Sequence, residues 1–226
     1  MTFLDQEVKE QVSQALKPVT NPVELVVYTA SKLVLPGQEP AGLQEETLAL
    51  LKEVAELSPH LSVAEKPIAS DPEAALLGIT RAPTILLREA GSTRTNIRFL
   101  GLPSGYEFST LIETVVMLGS GQSGLGERSR VELGKLDSPV RMQVFVTPTC
   151  PYCPKAVLTA FNFAFLNPHV VAEGVEANEF PVLSDQYRIS GVPDTVISGK
   201  TVERVLGGQP DRVFVEATLK AAGVAA

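Results

Sequence analysis

Both cysteines of this chain stand in one stretch, Thr147-Pro148-Thr149-Cys150-Pro151-Tyr152-Cys153-Pro154. Before it, Met142 to Val146 alternates larger apolar residues with polar or smaller ones; after it, Val157, Ala160, Phe161, Ala164 and Phe165 recur at helical spacing. The pair therefore sits at a strand-to-helix turn, which any fold of this chain has to provide. With Cys150 as N-cap, Pro151 falls at the first helical position, where its missing N–H costs nothing, and a Cys150 thiolate accepts from the first-turn N–H groups. The helix dipole favours the same anion. The spacing thus predicts a Cys150 pKa below the free value of about 8.5, and hence a nucleophile near neutral pH. Cys153, one turn on and more deeply placed, is positioned to attack a mixed disulfide on Cys150 and release the product. Pro154 removes an early helical N–H and biases Cys153 away from helical dihedrals, so a tight first turn is expected and not a broken helix.

Half of a zinc site is the competing reading of this pair. Structural zinc takes four ligands, and the other candidates, His60 and His169, lack ligand spacing. Both histidines lie next to or near proline in loop-like sequence and read as surface residues, which leaves a site shared between two chains as the zinc alternative. Redox chemistry is the preferred reading, with no metal assigned. A formal net charge of -7 gives no electrostatic case for nucleic acid or an anionic membrane. Met1 to Glu7 lacks the basic and apolar regions of a signal peptide, and no apolar run approaches the roughly 20 residues of a membrane span. A cytoplasmic protein is expected, and there a C-x-x-C pair means redox chemistry or metal binding more often than a structural crosslink.

The order of predicted elements repeats along the chain. In the first half a helix over residues 3–16 precedes a strand from Val23 to Thr29, a Pro- and Gly-rich loop from Leu33 to Gly42 and a helix to Leu57. A strand from Leu61, a short helix opened by Asp71-Pro72, and strands at Ala82 to Leu87 and Thr95 to Leu100 follow, with a helix from Tyr106 to Leu118. Gly119 to Gly124 has linker composition and separates an expected domain of residues 1–122 from one of residues 123–226. Beyond it come a short helix near Gly126 to Leu133, the strand before the cysteines, a long helix from Cys150 to about Asn167 and a strand from Val170 to Glu176. A helix from Phe180 to Tyr187, strands at Val192 to Ile197 and Thr201 to Leu206, and a helix from Val213 to Ala222 complete the copy. Pro83 and Pro193 each enter a strand, and Phe99-Leu100-Gly101 matches Val205-Leu206-Gly207 in placement.

With these features in place, the second half resembles the thioredoxin and glutaredoxin superfamily. Cys-Pro-Tyr-Cys is the glutaredoxin-type tetrapeptide, and Val192-Pro193 matches the cis-proline position of that family. The duplication makes the whole chain similar to the two-domain protein disulfide oxidoreductases. The resemblance implies an α/β fold, a tandem duplication of the thioredoxin-like unit, each a central mixed β-sheet flanked by helices. It also implies Cys150 as nucleophile, Cys153 as resolving thiol, and a cis Pro193 that leaves the Val192 backbone free to pair with substrate. Many such oxidoreductases carry C-x-x-C in both halves, whereas Tyr28 to Leu33 has no cysteine. The first half is therefore expected to be redox-silent, as in the N-terminal region of the flavoprotein reductase that serves bacterial peroxiredoxins.

Further site residues follow from position. Pro151, Tyr152, Val192 and Pro193 are the candidate substrate-binding residues, Tyr152 serving either packing or recognition. Asp194 follows the cis-proline position, where a carboxylate raises the Cys150 pKa and repels anionic partners, or else caps the strand edge. Lys155 favours the thiolate where its ammonium lies near, and otherwise is a solvated lysine. Glu176, after an apolar strand, is the candidate buried carboxylate behind Cys153, against the alternative of a surface glutamate. Pro83, with no cysteine opposite, is cis either as an inheritance of the duplication or as part of a groove that binds peptide without chemistry.

The expected function is thiol-disulfide exchange on protein disulfides at the Cys150/Cys153 centre. Two alternatives stand beside it: an electron carrier between a flavoprotein reductase and a peroxiredoxin, and a redox-sensing peptide-binding module. No flavin or nucleotide fingerprint, in which G-x-G-x-x-G leads from a strand into a helix, is present, so no bound cofactor is expected. Re-reduction falls to a separate thioredoxin-reductase-like flavoprotein or to glutathione. Gly207-Gly208 with Asp211 resembles the glutathione-binding turn of glutaredoxins, although Gly191 stands where those proteins usually have threonine.

Overall fold

A computed structural model of the chain describes residues 3–30 and 42–224. The expected loop from Leu33 lies outside the described residues up to Gly42, as do Ser31, Lys32 and Leu33 of the first-half turn. The first half runs α1 (Gln6–Ala15), β1 (Val23–Thr29), α2 (Gln44–Ala55), β2 (Leu61–Pro67), α3 (Pro72–Leu76), β3 (Thr84–Glu89), β4 (Ile97–Leu100) and α4 (Tyr106–Ser120). The second repeats it as α5 (Glu127–Leu133), β5 (Val140–Val146), α6 (Cys153–Leu166), β6 (Val170–Glu176), α7 (Pro181–Gln186), β7 (Asp194–Ser198), β8 (Val202–Leu206) and α8 (Asp211–Ala222).

Local chemistry accounts for the boundaries. Asp71 caps α3, its carboxylate accepting from Glu73 N–H at 2.7 Å and Ala74 N–H at 3.1 Å, with Pro72 in the first turn. Helix α4 ends where Gly121 turns left-handed at φ +70°. The short helices α3 and α7 close alike: Ile79 N–H bonds Ala74 O, Ile189 N–H bonds Ser184 O, and the preceding residues, Gly78 and Arg188, have φ of +64° and +53°. This pairs Gly78 with Arg188 and makes the spacing to Pro83 and Pro193 the same in both copies. Both X-Pro bonds, Ala82-Pro83 and Val192-Pro193, are cis.

Each half forms a mixed four-stranded sheet, and the two fuse into one of eight strands in the order β2-β1-β3-β4-β6-β5-β7-β8. The central strands β1 and β5 pair parallel with β2 and β6 and antiparallel with β3 and β7. They are apolar on both faces because both faces are covered. On one face Leu50, Leu51 and Val54 of α2, Leu111 and Val115 of α4, Val157 and Phe161 of α6 and Phe214 of α8 share one continuous core. On the other, α3 and α7 cover separate smaller clusters, around Tyr28 and Leu86 and around Phe145 and Phe180.

The seam is a parallel pairing of β4 with β6, in which Arg98 stands opposite Glu173 and Phe99 opposite Gly174. It pairs strands that would otherwise be open sheet edges. Arg98 and Glu173 form a buried ion pair at 3.4 Å, and the same carboxylate accepts from Arg141 at 2.8 Å and Gln143 at 3.0 Å. One residue on, the Phe99 ring covers Gly174, where an added Cβ would lie 2.6 Å from Phe99 Cδ2 and 3.3 Å from Val157 Cγ1. A methyl group there forces the ring off the seam. Gly174→Ala is expected to lower stability by about 1–3 kcal/mol, as overpacked cores do. Urea unfolding checks it; an unchanged midpoint would mean that the seam gives way without cost.

Candidate active site

Strand β5 delivers the chain to the turn of Thr147 to Tyr152, and Cys150 and Cys153 are joined there as a disulfide with Cα atoms 5.5 Å apart. Cys150 is the outer sulfur residue at 8% exposure, and Cys153 is fully buried. Helix α6 begins at Cys153 with Tyr152 as N-cap, so Cys150 is not the N-cap and Pro151 lies outside the helix. Pro154 is the reason: an α-helix starting at Cys150 needs an N–H from Pro154 to Cys150 O, and proline has none. Cys150 O accepts instead from Cys153 N–H at 3.3 Å, three residues on, and Thr147 O accepts from Cys150 N–H at 3.2 Å. The tight first turn is thus two overlapping three-residue bonds.

The other predicted residues divide between the rim of this turn and places where their charge is already used. Tyr152 is 70% exposed, so its ring is not packing between the cysteines, and Pro151 is exposed beside it. Gly208 backs the turn, for a Cβ there would come within 3.0 Å of Tyr152 O. Pro193 is buried and Val192 half-buried; Pro193 O accepts from Gly207 N–H at 2.8 Å, and the next residue, Asp194, pairs with Phe145 near the end of β5. The cis-proline turn therefore stands beside the cysteine turn. The Asp194 carboxylate is buried against Arg204, whose Nε donates to it at 2.7 Å and whose Nη2 makes a second, shorter contact. Its charge is matched by a guanidinium and is not presented to partners. Lys155 is exposed, its stem passing near Gly208.

Glu176 is buried, at 3% exposure, so the surface alternative fails. Yet its oxygens accept from Asn178 Nδ2 at 2.8 Å and Glu179 N–H at 2.6 Å, which closes the turn after β6. Its carboxylate holds that turn.

A different carboxylate is buried without such partners, and it comes from the first half. The loop from Gly101 to Gly105 reaches across to the cysteine turn, where Tyr106 N–H donates to Pro148 O at 2.9 Å, two residues before Cys150. Gly105 has φ +59°, and a Cβ on it would overlap Pro148 O, so only glycine permits this approach. The next residue but one, Glu107, is 1% exposed, and neither of its oxygens has a hydrogen-bond partner among the described residues. Burial pushes its carboxyl up to about 7, the Thr110 hydroxyl one turn on offsetting a little of this without reaching hydrogen-bond geometry. Helical spacing held the signal: Glu107 shares its face with Thr110, Leu111, Thr114, Val115 and Leu118, all buried.

An acid whose folded pKa lies above its unfolded value binds more protons in the native state, so its contribution to stability is complete below about pH 4.5 and is lost as pH rises through about 7. Glu107→Gln is expected to remove that slope. Denaturant midpoints of both proteins from pH 5 to 8 test it, and parallel curves would count against a buried, protonated Glu107.

Comparison with known proteins places this geometry. Residues 140–220 match the family model described as thioredoxin domain. The alkyl hydroperoxide reductase AhpF of Staphylococcus epidermidis is 26% identical over 199 residues, covering 88% of this chain and 34% of that protein. Its counterpart in Staphylococcus aureus is 25% identical over the same span. The chain thus covers about a third of the length of these curated relatives. Among solved structures, the AhpF of Enterococcus faecalis superposes with a TM-score of 0.83 at 28% identity, over 96% of this chain and 100% of that one. A protein disulfide oxidoreductase from Aeropyrum pernix gives 0.82 at 28% identity, over 100% of this chain and 97% of that one. The chain is a tandem thioredoxin-like fold, similar throughout to both of these proteins and matching the thioredoxin domain model over residues 140–220, with both of its cysteines in the second copy.

Proposed function

We propose that this chain carries electrons from a flavoprotein reductase to a peroxiredoxin through the Cys150/Cys153 centre. The observation that carries the reading is one C-x-x-C disulfide beside a cis-proline turn, in a chain whose curated relatives are alkyl hydroperoxide reductases. In this reading residues 123–226 hold the chemistry and residues 1–122 support it, since the first half contains no cysteine. The wider reading, a reductase of protein disulfides in general, draws on the likeness to the Aeropyrum pernix oxidoreductase.

The chemistry is the same in both. With the centre reduced, the Cys150 thiolate attacks a partner disulfide, forming a mixed disulfide and expelling one partner thiolate. Cys153 then loses its proton and attacks Cys150 Sγ, which releases the second partner thiol and leaves the Cys150–Cys153 disulfide. Two electrons have passed to the partner, and the reductase returns them by the reverse exchange. Buried Cys153 needs a proton acceptor within the protein, and the candidate is Glu107, a buried carboxyl without a hydrogen-bond partner among the described residues, next in the chain to Tyr106, whose N–H holds Pro148 O beside the cysteine turn. Exposed Tyr152 and Pro151 with the Val192 backbone form the docking rim, on which an extended segment of the partner lies across the cis-proline turn.

The test is peroxide-dependent NAD(P)H consumption in a mixture of the chain, a thioredoxin-reductase-like flavoprotein and a peroxiredoxin. The wild type is expected to support turnover, Cys150→Ser to abolish it, and Cys153→Ser to accumulate mixed disulfides with the peroxiredoxin. Insulin reduction with dithiothreitol, and with glutathione in its place, is the companion assay. Rapid insulin reduction with no transfer to the peroxiredoxin would replace the carrier reading with the general one, and equal residual activity in the two serine variants would overturn the assigned roles.

A further inference from the structure

The first half contains a receptacle for a carboxylate, and a residue of the second half fills it. Glu179, in the turn between β6 and α7, accepts from Leu102 N–H at 2.7 Å through Oε1 and from Leu43 N–H at 3.4 Å through Oε2. Two glycines make the space. A Cβ on Gly101, at φ +99°, would lie 2.8 Å from Glu179 Oε1 and 2.8 Å from Glu176 Cβ. A Cβ on Gly42, at φ +57°, would lie 3.1 Å from Glu179 Oε2 and 3.1 Å from Pro83 Cδ. Helix α2 has no side-chain cap of its own, its N-cap position being Leu43, so Glu179 supplies from the other half an anion at the positive end of that helix. The position is the counterpart of the one that carries the cysteines in the second half. The carboxyl is raised by burial, the Leu102 and Leu43 N–H groups work against this, and the nearby Glu176 and Glu46 carboxylates add to it.

From this contact a short run of backbone bonds leads to the cysteines. Leu102, held by Glu179, accepts from Ser104 N–H at 2.8 Å; Ser104 O accepts from Glu107 N–H at 3.1 Å; Tyr106 N–H holds Pro148 O at 2.9 Å. On the other side, Ala177 N–H donates to Val146 O at 2.9 Å, at the end of β5. The turn that carries Glu179 and the loop that Glu179 grips thus close on the cysteine turn from both sides. We propose that Glu179 is a positioning residue of the redox centre, a latch that sets how firmly the Gly101–Gly105 loop is pressed against Pro148 and so how accessible Cys150 is. The inference rests on the dithiol-disulfide reading of Cys150 and Cys153. It also assigns the neighbourhood of Pro83 to an internal ligand, in place of a free peptide.

The test compares the full-length chain with Glu179→Ala and Glu179→Gln. Glutamine removes the charge and keeps a carbonyl oxygen for Leu102 N–H; alanine removes both. Reduced proteins are alkylated with iodoacetamide between about pH 5 and 9, and the rate at Cys150 is read by mass spectrometry. Glu179→Ala is expected to react at least about threefold faster through loss of loop closure, with Glu179→Gln within about twofold of wild type. In a dithiothreitol redox buffer the alanine variant is expected to change the disulfide equilibrium about tenfold, about 30 mV for this couple, with glutamine again near wild type. Equal shifts in both variants would mean that charge and not the latch acts, and would overturn the proposal, as would unchanged rates in both. Glu179→Asp, which withdraws the carboxylate by one methylene, replaces the alanine variant if that one does not fold and is held to the same outcomes. The alkylation comparison involves no partner protein, so failure of the peroxiredoxin assay leaves it decisive.

Discussion

The parallel pairing of β4 with β6 is the contact on which the rest of the molecule depends. It turns two four-stranded sheets into one, and it sets the C-terminal end of β4 beside the C-terminal end of β6. The loop that leaves β4 at Gly101 therefore emerges next to the cysteine turn that follows β5. The seam holds because Gly174 admits the Phe99 ring and because the buried Arg98 is matched by Glu173. A buried charge left without its partner costs several kcal/mol, which explains why Glu173 is also satisfied by Arg141 and Gln143.

The buried carboxylates around the centre show how burial and hydrogen bonding compete. Asp194 is matched by a full charge on Arg204, and Glu176 by two donors that close a turn. Glu179 receives two backbone N–H groups, and burial still outweighs them. Glu107 receives none, and burial takes its carboxyl up to about 7. The contrast separates structural acids from one suited to exchange a proton near neutral pH. The halves also differ in what they hold: the cysteines and the cis-proline rim belong to the second, the unpartnered buried acid and the grip on Pro148 to the first.

Much of this was legible in the sequence. Strands β1 and β6 match their expected limits because each is an apolar run closed by turn residues. The helix after the cysteines starts three residues later than expected, since Pro154 denies Cys150 O its helical donor. An apolar strand ending in Glu176 and a proline followed by Asp194 point to these two as buried acids, and both are buried, but Glu176 bonds Asn178 and Glu179 N–H and Asp194 bonds Arg204. Glu107 was visible only as a charged residue on the apolar face of α4, a sign of burial that says nothing about what lies opposite.

By itself, then, the sequence determined the duplicated order of elements, the strand-to-helix turn that carries both cysteines, and the absence of a thiol from the first copy. These are local properties, written in periodicity, proline and residue identity within short windows. The tertiary structure alone decided that the two sheets join through β4 and β6, that the Gly101–Gly105 loop of the first half is held against Pro148 in the second, and that Glu179 bonds the N-terminal end of a helix far from it in the chain. Those contacts join residues distant in sequence, and which edges meet is set by packing and backbone pairing between strands, which no local pattern encodes.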